Sequence, residues 1–172
     1  MQWIVDGGVW KEVSGAGQLL TPGDFFEGGY FMGRITQGGT AYALIVAPKT
    51  GGEANLPWSP ATLATGVTDP VDGPGNTAAL VAIGGKPAAS FCHDLSLNGF
   101  TDWYLPATNE LLEIMRFGSF LPTVDAFVNY YWTSTEDTTQ NRAQRVIAGG
   151  GVAGGDPKGN YNRVRAVRRV AF

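Results

Sequence analysis

GFTDWYLPATNELLEIM, residues 99–115, is the stretch whose reading decides the fold. Asn98 and Gly99 make a turn, and Trp103 and Leu105 give apolar bulk to an extended segment. Pro106 closes that segment, because a proline drives the residue before it out of the α region. A helix follows, with Thr108 or Asn109 as its cap. Glu110 stands in its first turn, where a carboxylate complements the positive end of the helix dipole. Leu111, Leu112, Ile114 and Met115 recur at helical spacing and predict one apolar stripe.

Upstream, residues 77–95 carry Ala, Val, Leu, Phe and Cys in helical register, and Gly84-Gly85-Lys86-Pro87 predicts a break within that helix. The 49–76 stretch is rich in glycine and proline and reads as a long surface loop. Trp58 inside it is either an anchor onto the core or an exposed interface residue, and the anchor is preferred. Before it, GGYFMGRI and GTAYALIVAP predict two strands joined at Gln37-Gly38-Gly39. The second is almost wholly apolar and is expected to lie centrally in a sheet. At the front, QWIVDGGVWKEV (2–13) reads as a hairpin turning at Asp6-Gly7-Gly8, with SGAGQ (14–18) as a flexible spacer. Residues 1–18 are therefore expected to form an attachment hairpin, and 19–172 the main domain.

Downstream, a strand is expected around 130–134, a polar loop at 135–141 and a second strand at 142–148. GGGVAGGD (149–156) turns the chain, and NRVRAVRRVAF (162–172) is the final strand. Its alternation is imperfect, because Arg168 falls on the face of Val164, Ala166 and Val170. A bulge near residue 167 or a buried, paired arginine is expected there.

The 172 residues are 44% hydrophobic and only 16% charged, against roughly 25% charged in an average domain. The chain can bury a sizeable core, and its surface is more uncharged-polar than ionic. A net charge of −3 gives no general drive toward nucleic acid. Seven of the 12 basic residues nevertheless lie between 142 and 172 (Arg142, Arg145, Lys158, Arg163, Arg165, Arg168, Arg169) with only Asp156 among the acids. They either pair with carboxylates from the front half or form a basic patch for an anionic glycan or another subunit. No apolar run approaches the roughly 20 residues that cross a bilayer. No signal peptide opens the chain, so synthesis in a cytoplasm is expected.

Catalytic candidates are sparse. The lone cysteine, Cys92, reads as an inert core thiol. His93 follows it on a helix, where neighbouring side chains diverge by about 100°. No zinc ligand set and no phosphate-cradling loop is present. Glu136 and Asp137 with Asn141 have the oxygens for calcium, but two adjacent loop acids more often are simply solvated. No enzymatic activity, cofactor or metal is therefore expected. The late loops carry Asn129, Tyr130 and Tyr131, then Thr135–Asn141, then Asn160, Tyr161 and Asn162. Tyrosine, asparagine and threonine give contact area and adaptable hydrogen bonds, which suits a recognition surface. An ordinary polar rim is the equal alternative.

G-F-T-D-W-Y-L-P-x-x-x-E-L (99–111), Y-W-T-S-T (131–135) and V-R-A-V-R (164–168), in that order, resemble the family typified by the C-terminal domain of the bacterial collagen-like adhesin Lcl. That family occurs in bacterial surface proteins and phage tail fibres. F-M-G-R-I (31–35) and A-Y-A-L-I-V-A-P-K (41–49) are similar to its phage-borne members, and the 2–13 hairpin resembles short modules of phage tail proteins. The same order of motifs is similar, more distantly, to C-type-lectin-like folds. The resemblance implies an α+β fold with a small twisted antiparallel sheet, two helices and long loops. It implies that Trp103, Leu105, Trp132, Arg165 and Arg168 are structural, and that 136–141 and 160–162 are exposed. Ligand contacts are accordingly expected from Tyr130, Glu136, Asp137, Thr139, Gln140, Asn141, Asn160, Tyr161 and Asn162. The related formylglycine-generating enzymes use a cysteine pair that this sequence lacks. The function so implied is a virion protein at a tail-fibre tip that meets a host receptor or glycan and other tail proteins, and the long 49–76 excursion with the low charge suggests that it is a homotrimer. A structural virion part and a bacterial surface adhesin domain are the alternatives.

Overall fold

The computed structural model describes residues 3–6, 9–12 and 19–171. Strands β1 (Trp3–Asp6) and β2 (Val9–Glu12) pair antiparallel as the expected front hairpin. Gly7 and Gly8 of its turn and the 14–18 spacer lie outside the described residues.

Two further sheets build the core. The first has the order β11-β5-β4-β3 and is antiparallel throughout. Its strands are β3 (Phe25–Phe26), β4 (Gly29–Gln37), β5 (Thr40–Val46) and β11 (Val167–Ala171). β5 is internal, as its composition demands. Ala43 and Ile45 fill one face with Leu20 and Phe31, while Leu44 and Val46 fill the other, and all four β5 residues are fully buried. The second sheet has the order β6-β10-β7-β8-β9, with β10 parallel to β7 and the other pairs antiparallel. It comprises β6 (Glu53–Pro57), β7 (Tyr130–Glu136), β8 (Arg142–Ile147), β9 (Gly151–Pro157) and β10 (Tyr161–Arg165).

The class is α+β, as expected, but the details differ in four places. The 49–76 stretch contains β6, which pairs with β10 through the register Arg163↔Asn55. Its partner lies about a hundred residues away, so no local pattern marks it. Trp58 at the end of β6 is an anchor, fully buried with its indole N–H donating to the Thr133 carbonyl at 2.8 Å. The GGGVAGGD run turns the chain only at Gly149 and Gly150, and from Gly151 onward it is a strand, because β8 supplies its hydrogen-bond partners. The single broken helix is two helices, Gly73–Ile83 and Pro87–His93, parted at Gly84 and Gly85, both at positive φ. The first begins earlier than expected because the Asp72 carboxylate accepts the Gly75 N–H. Finally, the last strand divides at Ala166 and its two halves join different sheets. Ala166 donates its N–H to Gly52 and accepts from Ala47, both at 3.0 Å.

The helix Thr108–Arg116 packs between the sheets. Leu111, Ile114 and Met115 are buried against Met32, Leu44, Tyr131 and Val146, with Leu112 half-buried at the margin. Its cap position is Ala107 rather than Thr108 or Asn109. The Thr108 hydroxyl points inward, 3.1 Å from the Thr133 hydroxyl, and the Glu110 carboxylate takes the Ala107 N–H at 2.8 Å. Glu110 therefore stands in the first turn as expected, and is in addition fully buried.

Candidate functional site

The expected frame is buried. Trp103, Leu105 and Trp132 belong to one core cluster with Val164 and Ala166. Trp132 donates its indole N–H to the Leu56 carbonyl at 3.0 Å. Arg165 is buried with its guanidinium against Glu53 at 2.6 Å and the Asp125 carbonyl at 2.7 Å. Arg168 holds the Asp102 carboxylate at 2.7 and 2.9 Å and lies 3.8 Å from the centre of the Phe100 ring.

The basic tail resolves toward pairing. Arg145 meets Asp156 at 3.1 Å, Arg163 meets Glu53 at 2.6 Å and Arg169 meets Asp72 at 3.3 Å, while Lys158 meets Glu136. Arg142 lies exposed and donates to the Gly155 carbonyl. Cation charge in this region is therefore largely matched by carboxylates, most of them contributed by earlier segments.

Of the residues expected to touch a ligand, Thr139, Gln140 and Asn141 are exposed at the β7–β8 tip. Asp137 at its base is half-buried and accepts the Thr139 N–H at 2.8 Å and the Gln144 amide. Glu136, expected on the exposed face, is buried instead. Its carboxylate accepts the Thr65 and Gly66 N–H groups at 2.8 Å and pairs with Lys158. Burial raises its pKa, but the Lys158 bond and the two backbone donors prevail and hold it below the usual carboxylate range. Asn162, also expected to be exposed, is buried and donates to Asp156 at 2.9 Å. The cause is the period of the strand, which turns Tyr161 outward and Asn162 inward.

Tyr130, Tyr161 and Asn162 do come together. With Asn55, Asn129 and Arg163 they line an open groove of about 380 Å³ at the β6-β10-β7 end of the second sheet. Tyr161 is 67% exposed, and the Arg145 guanidinium stacks 4.0 Å from the Tyr130 ring centre. Asn129 adopts a left-handed φ of 62° at the start of β7. The 136–141 segment does not line this groove, and Asn160 is exposed just beyond it. Asn55 and Arg163 were not expected as site residues. Arg163 shares the face of Tyr161 on β10, and the β6–β10 register brings Asn55 beside it. Neighbouring Tyr131 points inward, giving its hydroxyl to Glu53 at 2.8 Å, and burial pushes its pKa up to about 12.

A second groove, of about 430 Å³, holds His93 with Thr101, Asp102 and Arg169. Cys92, the residue before His93, is buried in the core, and burial raises its thiol pKa far above the ordinary value. His93 Nδ1 lies 2.9 Å from Asp94, both side chains being largely exposed. Among the described residues no group of three or more His, Cys, Asp or Glu side chains is placed to hold a metal ion. No described helix is long and apolar enough to cross a membrane.

A family model described as the Lcl C-terminal domain matches residues 50–168, from the turn before β6 to Arg168 in β11. No curated protein matches the chain. The match spans well over half of the sequence and contains the buried tryptophans, both paired arginines and the groove, and on it the chain belongs to the Lcl C-terminal domain family.

Proposed function

We propose that this protein is a non-enzymatic recognition module of a phage virion, acting at a tail-fibre tip as a homotrimer. Its groove between β6, β10 and β7 takes a host-surface ligand, a glycan in the first instance. One observation carries this reading: Tyr161, a large aromatic side chain 67% exposed, stands over a groove edged by Asn55, Asn129, Tyr130 and Arg163. An exposed aromatic beside amide groups offers a stacking face together with donors and acceptors for hydroxyls. The strands beneath are fixed by the Trp132 and Arg165 anchors, so the surface is preorganised and loses little entropy on binding.

Adhesion of labelled protein to host cells, or retention on arrayed cell-surface glycans, tests the reading. Tyr161→Ala, at an exposed ring, should weaken binding at least tenfold, about 1.4 kcal/mol, with the melting temperature unchanged. Wild-type protein that adheres to nothing on the host would defeat it.

A structural virion part is the second reading. It is favoured by Val124 and Leu63, each 78% exposed, and Phe120, 56% exposed, which are apolar groups suited to subunit contacts. It predicts assembly with other tail proteins and no adhesion. The same groove on a bacterial surface adhesin would bind its ligand without any virion. Light scattering at micromolar concentration tests the trimer.

A further inference from the structure

Lys158 is completely buried, although its ammonium is charged. An ammonium has three N–H donors and no acceptor. Here three oxygens meet it: the Glu136 carboxylate, the Leu63 carbonyl at 2.8 Å and the Gln140 carbonyl at 2.5 Å. The Trp58 ring closes the remaining side, its centre 5.0 Å from Nζ. The Lys158 backbone braces the same elements, donating to Asn141 at 3.0 Å and accepting from Ser59 at 3.1 Å. Glu136 in turn gathers the Thr65 and Gly66 N–H groups. One residue therefore ties together the 58–66 loop, the 136–141 tip and the turn that leads to Tyr161.

A carboxylate oxygen with two main-chain carbonyls is the donor chemistry that hard cations such as calcium select. We propose that Lys158 is a tethered cation standing in the place of a free metal ion, so that the loops beside the groove are ordered without calcium. The match favours an ammonium over a metal. Three donors meet three oxygens one for one, whereas calcium asks for about six to eight oxygen ligands and would face an indole ring instead. A cation attached to the chain also cannot be diluted or chelated, so the ordering does not follow ion concentration as a bound metal's would.

Thermal melts and amide exchange on the full chain test this without any groove ligand, so the outcome is separate from that of the recognition reading. Wild-type protein should melt at the same temperature in excess EDTA and in excess calcium. A rise with calcium would overturn the proposal. Lys158→Ala should melt about 10 °C lower and lose protection first at the Ser59, Thr65 and Gly66 amides. Propylammonium, which restores the deleted atoms and their charge, should recover part of both in Lys158→Ala and leave wild type unmoved. Lys158→Met, which fills the space without charge, should gain nothing from it. Loss of protection spread evenly over the sheets of Lys158→Ala, with no recovery by the amine, would also overturn the proposal.

Discussion

Trp58 and Trp132 anchor each other's strands. The indole N–H of Trp58 donates to the Thr133 carbonyl at 2.8 Å, and that of Trp132 donates to the Leu56 carbonyl at 3.0 Å. Both rings are fully buried in the cluster shared with Leu80, Trp103 and Val164. Although β10 lies between them in hydrogen-bond order, β6 and β7 are thus also joined side chain to backbone. Trp132→Phe removes a donor and leaves a void, and should cost about 2–4 kcal/mol in urea unfolding with an unchanged m-value.

The Glu53 carboxylate receives Arg165 and Arg163, both at 2.6 Å, and the Tyr131 hydroxyl at 2.8 Å. Glu53→Gln leaves the buried Arg165 guanidinium without its closest counter-charge. The cost should be about 3–5 kcal/mol, the range for opening a buried pair from one side. Replacing Arg165 by Met in the same background should recover part of that loss, since no uncompensated buried charge then remains. Equal destabilisation of the single and double variants would contradict this account.

Burial raises the Glu110 carboxyl from its ordinary 4.5 to about 7, against the Ala107 N–H and the Tyr104 hydroxyl, which lower it. The folded chain therefore holds this proton more tightly than the unfolded chain. Its contribution to stability is complete below pH 4.5 and is lost as pH rises through about 7. The full change is on the order of 3 kcal/mol. Glu110→Gln should flatten the decline in unfolding free energy between mildly acidic and mildly alkaline pH. Glu136 acts in the opposite sense. Its lowered pKa gives stability that disappears only as acid protonates it.

Tyr161 and Asn162 are neighbours with different expected consequences. Tyr161→Ala removes an exposed ring and should leave the unfolding free energy within about 0.5 kcal/mol. Asn162→Ala removes a buried partner of Asp156 and should cost about 1–2 kcal/mol. Any loss of adhesion in the second variant therefore has to be read beside its melting curve. Circular dichroism melts separate the two.

Local chemistry marked much of this fold. The β4–β5 hairpin was legible from Gly38 and Gly39, both at positive φ, and the 108–116 helix from the spacing of Leu111, Ile114 and Met115. Pairing across long stretches of chain was not legible. Nothing within Glu53–Pro57 announces a strand, because its partner β10 lies at the far end of the domain. The burial of Glu136 depends on Lys158, 22 residues later, and on a loop folding over both. For the candidate site, residue type pointed to Tyr130 and Tyr161, and the strand period places Arg163 on the face of Tyr161, while Asn55 became their neighbour only through tertiary register.

The single-residue passage at Ala166 bears on how the molecule is made. Among the described residues β6 has no lateral partner other than β10, and β11 borders β5 immediately afterwards. A chain growing from its amino end must therefore keep β6 with a bare edge until residues 161–165 emerge. Completion of both sheets then waits for residues 161–171, and until they emerge the open edge is exposed to aggregation or to a chaperone's grip.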